Sequence, residues 1–153
     1  NLKYPDPQDN SRKISPHVVE PSLGVDRTML ALLVSAFNEE NVDGNERTVM
    51  EFEPHIAPNQ VAVFPLMDKD GLDDRAQEVY ERINGEFRVE YDDSGGIGKR
   101  YRRQDEIGTP YCITVDYDSL EGEGVTVRDR DSMEQDRVHE DELINYFSNK
   151  INQ

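Results

Sequence analysis

Three glycines, Gly95, Gly96 and Gly98, stand directly before four cations, Lys99, Arg100, Arg102 and Arg103, in the stretch DDSGGIGKRYRRQDEIG. Glycine followed by a cation is the composition of a phosphate cradle, in which backbone N–H groups and a lysine surround an anion. Spacing decides whether the chemistry is available. A G-x-x-x-x-G-K-[ST] loop ending on Gly98-Lys99 needs glycine at 93 and a magnesium-holding hydroxyl at 100, and those positions are Asp93 and Arg100. A G-x-G-x-x-G fingerprint starting at Gly96 places its third glycine on Tyr101. Both fail, and Asp92 and Asp93 ahead of the glycines oppose a pyrophosphate.

Two readings of the stretch remain. In one, it is an elbow into a solvated helix. Asp93 or Ser94 caps the helix, Gly95 and Gly96 supply the turn, Ile97 and Tyr101 pack on a sheet, and Glu106 pairs with Arg102. In the other, it is a cationic island for RNA. Seventeen bases spread evenly over 153 residues would place about half a base in any five positions; here there are four. Alternation in VTVRDR adds Arg128 and Arg130, on one strand face with Thr126. Tyr101 and Tyr117 are candidates for stacking on unpaired bases.

Little other chemistry is offered. The single cysteine, Cys112, excludes an internal disulfide and fits a reducing compartment; flanked by YCITVDY, it reads as a buried structural thiol. No metal site is expected. No apolar run reaches membrane-spanning length and no secretory leader is visible, so a cytoplasmic protein is expected, with neither membrane nor DNA as partner. The formal charge is −16, from 33 acids and 17 bases, only five of them lysine. Dispersed acid excess of this kind is expected of a protein working in concentrated salt, where self-repulsion is screened.

These residues need elements to position them. Residues 1–16 read as loop or strand edge, His17–Glu20 as a short strand, and Asp26–Phe37 as a helix buried on most of its face through Met29, Leu30, Leu32, Leu33, Val34 and Phe37. The polar stretch from Asn38 to Pro58 reads as a break and a domain boundary. Strands follow at 61–67, 87–91, 111–117 and 125–130. A helix from Leu72 to Ile83 ends before Gly85, another starts near Gly96, and a last one carries Leu143, Ile144, Phe147 and Ile151. The alternation implies an α/β fold with a largely parallel sheet, made mixed by a hairpin after the third crossover.

Taken together, the motifs resemble a known family. HVVEPSLGVDRTMLALL resembles motif 3 of class II aminoacyl-tRNA synthetases. Its EPS before GVDR is similar to the form in glycyl-tRNA synthetases of the eukaryotic and archaeal dimeric type. VEYDDSGGIGKRYRRQDEIGTPYCITVDYDSL and VTVRDRDSMEQDRV resemble that family's C-terminal anticodon-binding domain. The resemblance implies a three-layer α/β domain at 56–153, preceded by a catalytic-domain remnant and linker at 1–55. It implies that Arg27 contacts the ATP triphosphate as the catalytic cation, and that Gly24, Val25, Asp26 and Arg27 line the ATP side. Glu20 and Ser22, with Gly24, would hold the glycine substrate. Without the resemblance, these are a salt-bridged glutamate, a capping serine and a helix-start arginine.

The implied partners are a glycine-specific tRNA, glycine, and ATP with magnesium in a homodimeric parent. Candidate tRNA contacts are Lys99, Arg100, Tyr101, Arg102, Arg103, Arg128 and Arg130. Because motifs 1 and 2 do not precede residue 16, the chain is expected to be the C-terminal part of a longer synthetase and inactive alone. Alternatives are a stand-alone accessory module of the same fold, or the equivalent part of a threonyl-, prolyl- or histidyl-tRNA synthetase.

Overall fold

The computed structural model describes residues 3–15, 17, 19–42 and 44–152. They fall into two compact units, 1–31 and 32–153. In the first, β1 (Tyr4–Asp6) and β2 (Asp9–Ile14) form an antiparallel hairpin with an irregularity after Pro5. The expected strand at His17–Glu20 is not formed by its described residues: His17, Val19 and Glu20 are irregular, and Val18 lies outside the described residues. Helix α1 (Val25–Ala36) follows one residue earlier than expected. Its apolar stripe is exposed rather than buried, with Leu30 at 61% and Val34 at 70% of full exposure. Periodicity identifies an apolar face but not whether anything covers it, and only Ala36 is buried in this helix.

The second unit is built on a five-stranded mixed sheet. β5 (Val61–Pro65) is a continuous apolar run and β7 (Tyr111–Val115) is apolar but for Thr114; both are buried at every position, as expected of central strands covered on both faces. Their order with β6 (Val89–Tyr91), β8 (Val125–Asp129) and β9 (Gln135–Val138) is β6-β5-β7-β8-β9. β5 pairs in parallel with β6 and β7, while β7–β8 and β8–β9 are antiparallel.

Side-chain alternation divides the sheet into two faces. Val61, Val63, Ile113, Val115 and Val127 meet α2 (Leu72–Ile83) and α5 (Leu143–Ile151) through Leu72, Ala76, Val79, Ile83, Leu143, Phe147 and Ile151. Each of the larger fully buried side chains here contributes about 1.5–3 kcal/mol. Ala62, Phe64 and Cys112 face α3 (Ile97–Ile107), with Ile97 and Tyr101 packed on them as expected. Three layers result.

The expected third strand is shorter than 111–117. Asp116 accepts from the Ser119 N–H at 3.1 Å and Ser119 returns a bond in a capping box, so Tyr117 begins a short helix, α4 (Tyr117–Leu120). The polar stretch read as a break contains a hairpin, β3 (Phe37–Val42) with β4 (Asn45–Met50), paired in register from Phe37↔Met50 to Val42↔Asn45. Arg47 and Val49 are its buried members.

Candidate nucleic-acid interface

The elbow is built from below. Asp92 accepts from the Ser94 N–H at 3.0 Å and its hydroxyl at 2.8 Å, making an Asx turn. Gly95 takes φ +73° and Gly96 is the N-cap residue of α3, with no side-chain cap. Neither Asp93 nor Ser94 caps the helix. The guanidinium of Arg100 holds the turn instead, donating to the carbonyls of Asp93 at 2.6 Å, Gly95 at 2.8 Å, and Pro65 at the end of β5. Two of the loop's carbonyl oxygens are therefore bound inward by a buried cation, an arrangement that supports a turn.

Arg128 and Arg130 follow the same logic. With Thr126 they share the sheet face expected from alternation, but α3 and β4 cover that face. Arg128 is buried over the Tyr101 ring, 4.9 Å from its centroid, and donates to Asp105 Oδ1 at 3.0 Å. Arg130, only 3% exposed, donates to the carbonyls of Phe52 at 3.0 Å and Gly108 at 2.9 Å and pairs with Asp131. Asp105 also accepts from Arg47 Nε at 2.8 Å, and Arg47 pairs with Glu40. The bond to Asp105, opposed by burial and aided by Glu40, raises the Arg47 pKa. One buried carboxylate thus joins α3, β4 and β8. Sequence reading missed Asp105 and Arg47; the only available signal was an excess of polar side chains on the sheet-facing side of α3, where Arg100, Gln104 and Asp105 are all buried.

The remaining cations lie at the surface. Lys99 and Arg102 are exposed, and Arg103 is half-exposed. Arg102 bonds to the Glu46 carbonyl rather than to Glu106. Arg103 donates to Asp92 Oδ2 at 2.6 Å. Burial pushes the Asp92 carboxyl up, but the Arg103 and Ser94 bonds outweigh it and leave the pKa below its ordinary value.

Beside the Asp105 node lies a cleft of about 260 Å³, lined among others by Asn45, Gly98, Tyr101, Arg102, Arg128 and Met133. Its lining holds Arg47, Arg102 and Arg128 against Asp105, a local surplus of positive charge within a chain of −16. Such a cleft suits a phosphate or the acceptor-rich edge of a base. Tyr101 has little ring to offer. Its hydroxyl bonds to Thr114 at 2.6 Å, Phe64 meets it edge-on at 5.5 Å, and Arg128 lies over its face. Cys112 is fully enclosed and burial pushes its thiol pKa well up, consistent with a structural role.

The motif 3 candidates lie in the first unit and all are exposed. Glu20, Ser22 and Gly24 are irregular, and Val25, Asp26 and Arg27 open α1. Among the described residues, Arg27 makes no ion pair. None of them belongs to the sheet face that holds the cleft residues. Also among the described residues, no group of His, Cys, Asp and Glu is arranged to hold a metal, and no helix is long and apolar enough to cross a membrane.

Residues 60–150, which contain the sheet, the elbow and the buried Arg100, Arg128 and Arg130, match the anticodon binding domain family. The chain belongs to that family. It is 54% identical over 152 residues to the glycine–tRNA ligase of Clostridium acetobutylicum, covering 99% of this chain and 32% of that protein. It is 52% identical over 153 residues to the glycine–tRNA ligase of Staphylococcus epidermidis, with the same coverages. The anticodon-binding domain thus spans, with its N-terminal unit, about a third of the length of these curated relatives. Its fold is shared with the RNA binding domain of threonyl-tRNA synthetase from Cryptosporidium parvum, at TM-score 0.60 and 23% identity over 65% of this chain and 25% of that one. Prolyl-tRNA synthetase of the same organism gives TM-score 0.59 at 23% identity, over 69% of this chain and 23% of that one.

Proposed function

We propose that this chain grips the anticodon arm of a glycine-specific tRNA as the C-terminal part of a larger, homodimeric class II glycine–tRNA ligase that works in the cytoplasm. The observation that carries the proposal is its likeness, along nearly its whole length, to glycine–tRNA ligases. Residues 56–153 are assigned to anticodon binding, and residues 1–55 to the catalytic-domain remnant and linker. The exposed apolar stripe of α1 supports this, since an apolar helix face is stabilised by cover from another part of a protein.

Lys99, Arg102 and Arg103 lie where phosphate or base edges can reach them. Arg100, Arg128 and Arg130 act on RNA mainly by holding the elbow and cleft in shape. In the parent enzyme ATP, with magnesium, supplies activation of the glycine carboxylate. Arg27, exposed and without an ion pair among the described residues, would hold the triphosphate tail alongside Gly24, Val25 and Asp26. Glu20 would take the ammonium group of glycine, and Ser22 would bond it in a cramped site. The dispersed acid excess further supports a salt-rich cell of origin.

Two measurements test the proposal. Replacing Lys99, Arg102 and Arg103 by alanine should weaken binding of a glycine-anticodon RNA hairpin and reduce its salt slope by about one for each phosphate no longer neutralised. An unchanged slope sinks the assignment of these cations. The purified chain should show no glycine-dependent ATP–pyrophosphate exchange; detectable exchange contradicts its place as a dependent part.

A further inference from the structure

The carboxyl ends of β5 and β7 form a second feature of the sheet, at the same end as the α3 elbow, which follows β6 and is tied to Pro65. From β5 the chain goes through α2 to β6 on one side, and from β6 it returns through α3 to β7 on the other. This reversal of direction is the topological switch point at which open α/β sheets bind ligands, outside the strand carboxyl ends. Tyr117 stands there, directly after β7, with 41% of its surface exposed. It is also held in place. Its hydroxyl donates to Asp70 Oδ2 at 2.8 Å and lies 3.3 Å from Met67 Sδ. Asp70 has φ +60° and precedes Gly71 at φ +82°, a left-handed pair that Asp and Gly tolerate and that sets where the carboxylate projects. Leu120, one turn after Tyr117, and Met67 are exposed apolar neighbours in the same region.

Resting on the anticodon reading, we propose that Tyr117 is the stacking platform for one unpaired nucleobase, and that Asp70 selects a base presenting an exocyclic amino group. An exposed aromatic ring fixed by a hydrogen bond offers its face with little entropy left to lose, and every base has a π-face to meet it. Tyr101 is half-buried, with Arg128 over its face and Phe64 against it edge-on, and has no free face for this part. The surrounding charge chooses which part of RNA docks. Asp68, Asp70 and Asp118 are exposed. Lys69 stands between the first two and Arg137 pairs with Asp118, so the carboxylates outnumber the cations and disfavour a phosphate, whereas a carboxylate accepts from a base amino group. Asp70 Oδ2 is engaged by Tyr117, and Oδ1 is the acceptor assigned to the base. The hydrogen bond to Asp70 raises the Tyr117 pKa, so the phenol stays protonated as its donor.

The test uses the full chain and an RNA hairpin carrying the glycine anticodon. Tyr117→Ala should weaken binding by about 5- to 150-fold, the range for removal of one base–aromatic stack. The chain contains no tryptophan, so Tyr117→Trp introduces a unique fluorophore. Its emission should be quenched by the hairpin, and quenching should disappear when one anticodon position is made abasic. Asp70→Asn keeps an acceptor for the phenol but replaces the second oxygen with a donor. It should reduce or reverse the preference for anticodon cytosine over uracil at that position. If the native chain binds the hairpin while Tyr117→Ala binds equally well, or the tryptophan emission is unmoved, the platform is refuted and the anticodon reading stands. If the native chain does not bind the hairpin, both fail.

Discussion

Asp105 is the residue on which the interface depends. It is a buried carboxylate that holds Arg47 and Arg128 from two other elements. Removing one member of such a buried group leaves uncompensated charge, at a cost of about 3–5 kcal/mol. Asp105→Asn should therefore lower the midpoint of urea unfolding sharply, whereas Glu106→Gln on the exposed side of α3 should leave it almost unchanged. Equal midpoints for the two variants would contradict the central role given to Asp105. At this scale the sequence was legible in residue type more than in residue partner. Four cations in five positions announced an unusual place, and alternation put Arg128 and Arg130 on one face. Neither could show that α3 and β4 cover that face, so three of the six island cations are internal supports. Where Tyr101 and Tyr117 were equal candidates for stacking, burial separates them.

Among the elements, helices α2, α3 and α5 and four of the sheet's five strands could be read, from apolar runs, period-2 or period-3.6 patterns and a Gly-marked stop; β9, exposed but for Val138, carried no such signal. The β3–β4 hairpin could not be read either. Its residues alternate intermediate with exposed, and its buried side of β4 includes Arg47, so no apolar alternation marked it. Packing against α3 fixes it in place, and Gly108 makes the approach close. At φ +92°, a Cβ on Gly108 would lie 2.6 Å from Phe52 Cδ2 and 2.7 Å from the Met50 carbonyl oxygen. Gly108→Ala should cost at least the ~1–2 kcal/mol of a left-handed non-glycine residue, with the collision added, read as a lower melting temperature. Gly98→Ala, with nothing within 4 Å of its added Cβ, is the control and should melt close to the native chain.

The loops at the sheet's carboxyl end are held by ion pairs that respond to pH. Asp116 accepts from both Arg137 terminal nitrogens at 2.9 Å. Burial raises its pKa, but Arg137 and Ser119 outweigh this, so it lies below the ordinary value; Asp92 behaves alike through Arg103. For a carboxyl depressed on folding, the stabilisation is complete above the unfolded pKa, about 3.9, and is lost as pH falls through the folded value. Arg137→Ala should thus be less stable at neutral pH, by about 1 kcal/mol for a part-exposed pair. It should also lose less further stability on acidification. A parallel pair of stability–pH curves would count against the assignment.

For the molecule as a whole, the charge of −16 has to coexist with the proposed RNA binding. Positive charge is densest on the α3 face and its cleft, while the strand carboxyl ends present more carboxylates than cations, with Asp68, Asp70 and Asp118 around Lys69 and an aromatic ring. Binding should therefore rest on stacking and base-edge bonds more than on counterion release, giving a salt slope equal to only a few phosphates. The same acid excess should make the fold depend on salt. Circular dichroism should show loss of structure on dialysis from about 1 M salt, where the screening length is about 3 Å, to low ionic strength. An unchanged spectrum would contradict an origin in concentrated salt. The most direct test of the central claim is competitive binding, at one fixed salt concentration, between RNA hairpins differing only in carrying a glycine or a threonine anticodon. The account predicts a preference for the glycine hairpin of tenfold or more, about 1.4 kcal/mol; equal affinity, or no binding to either, would contradict it.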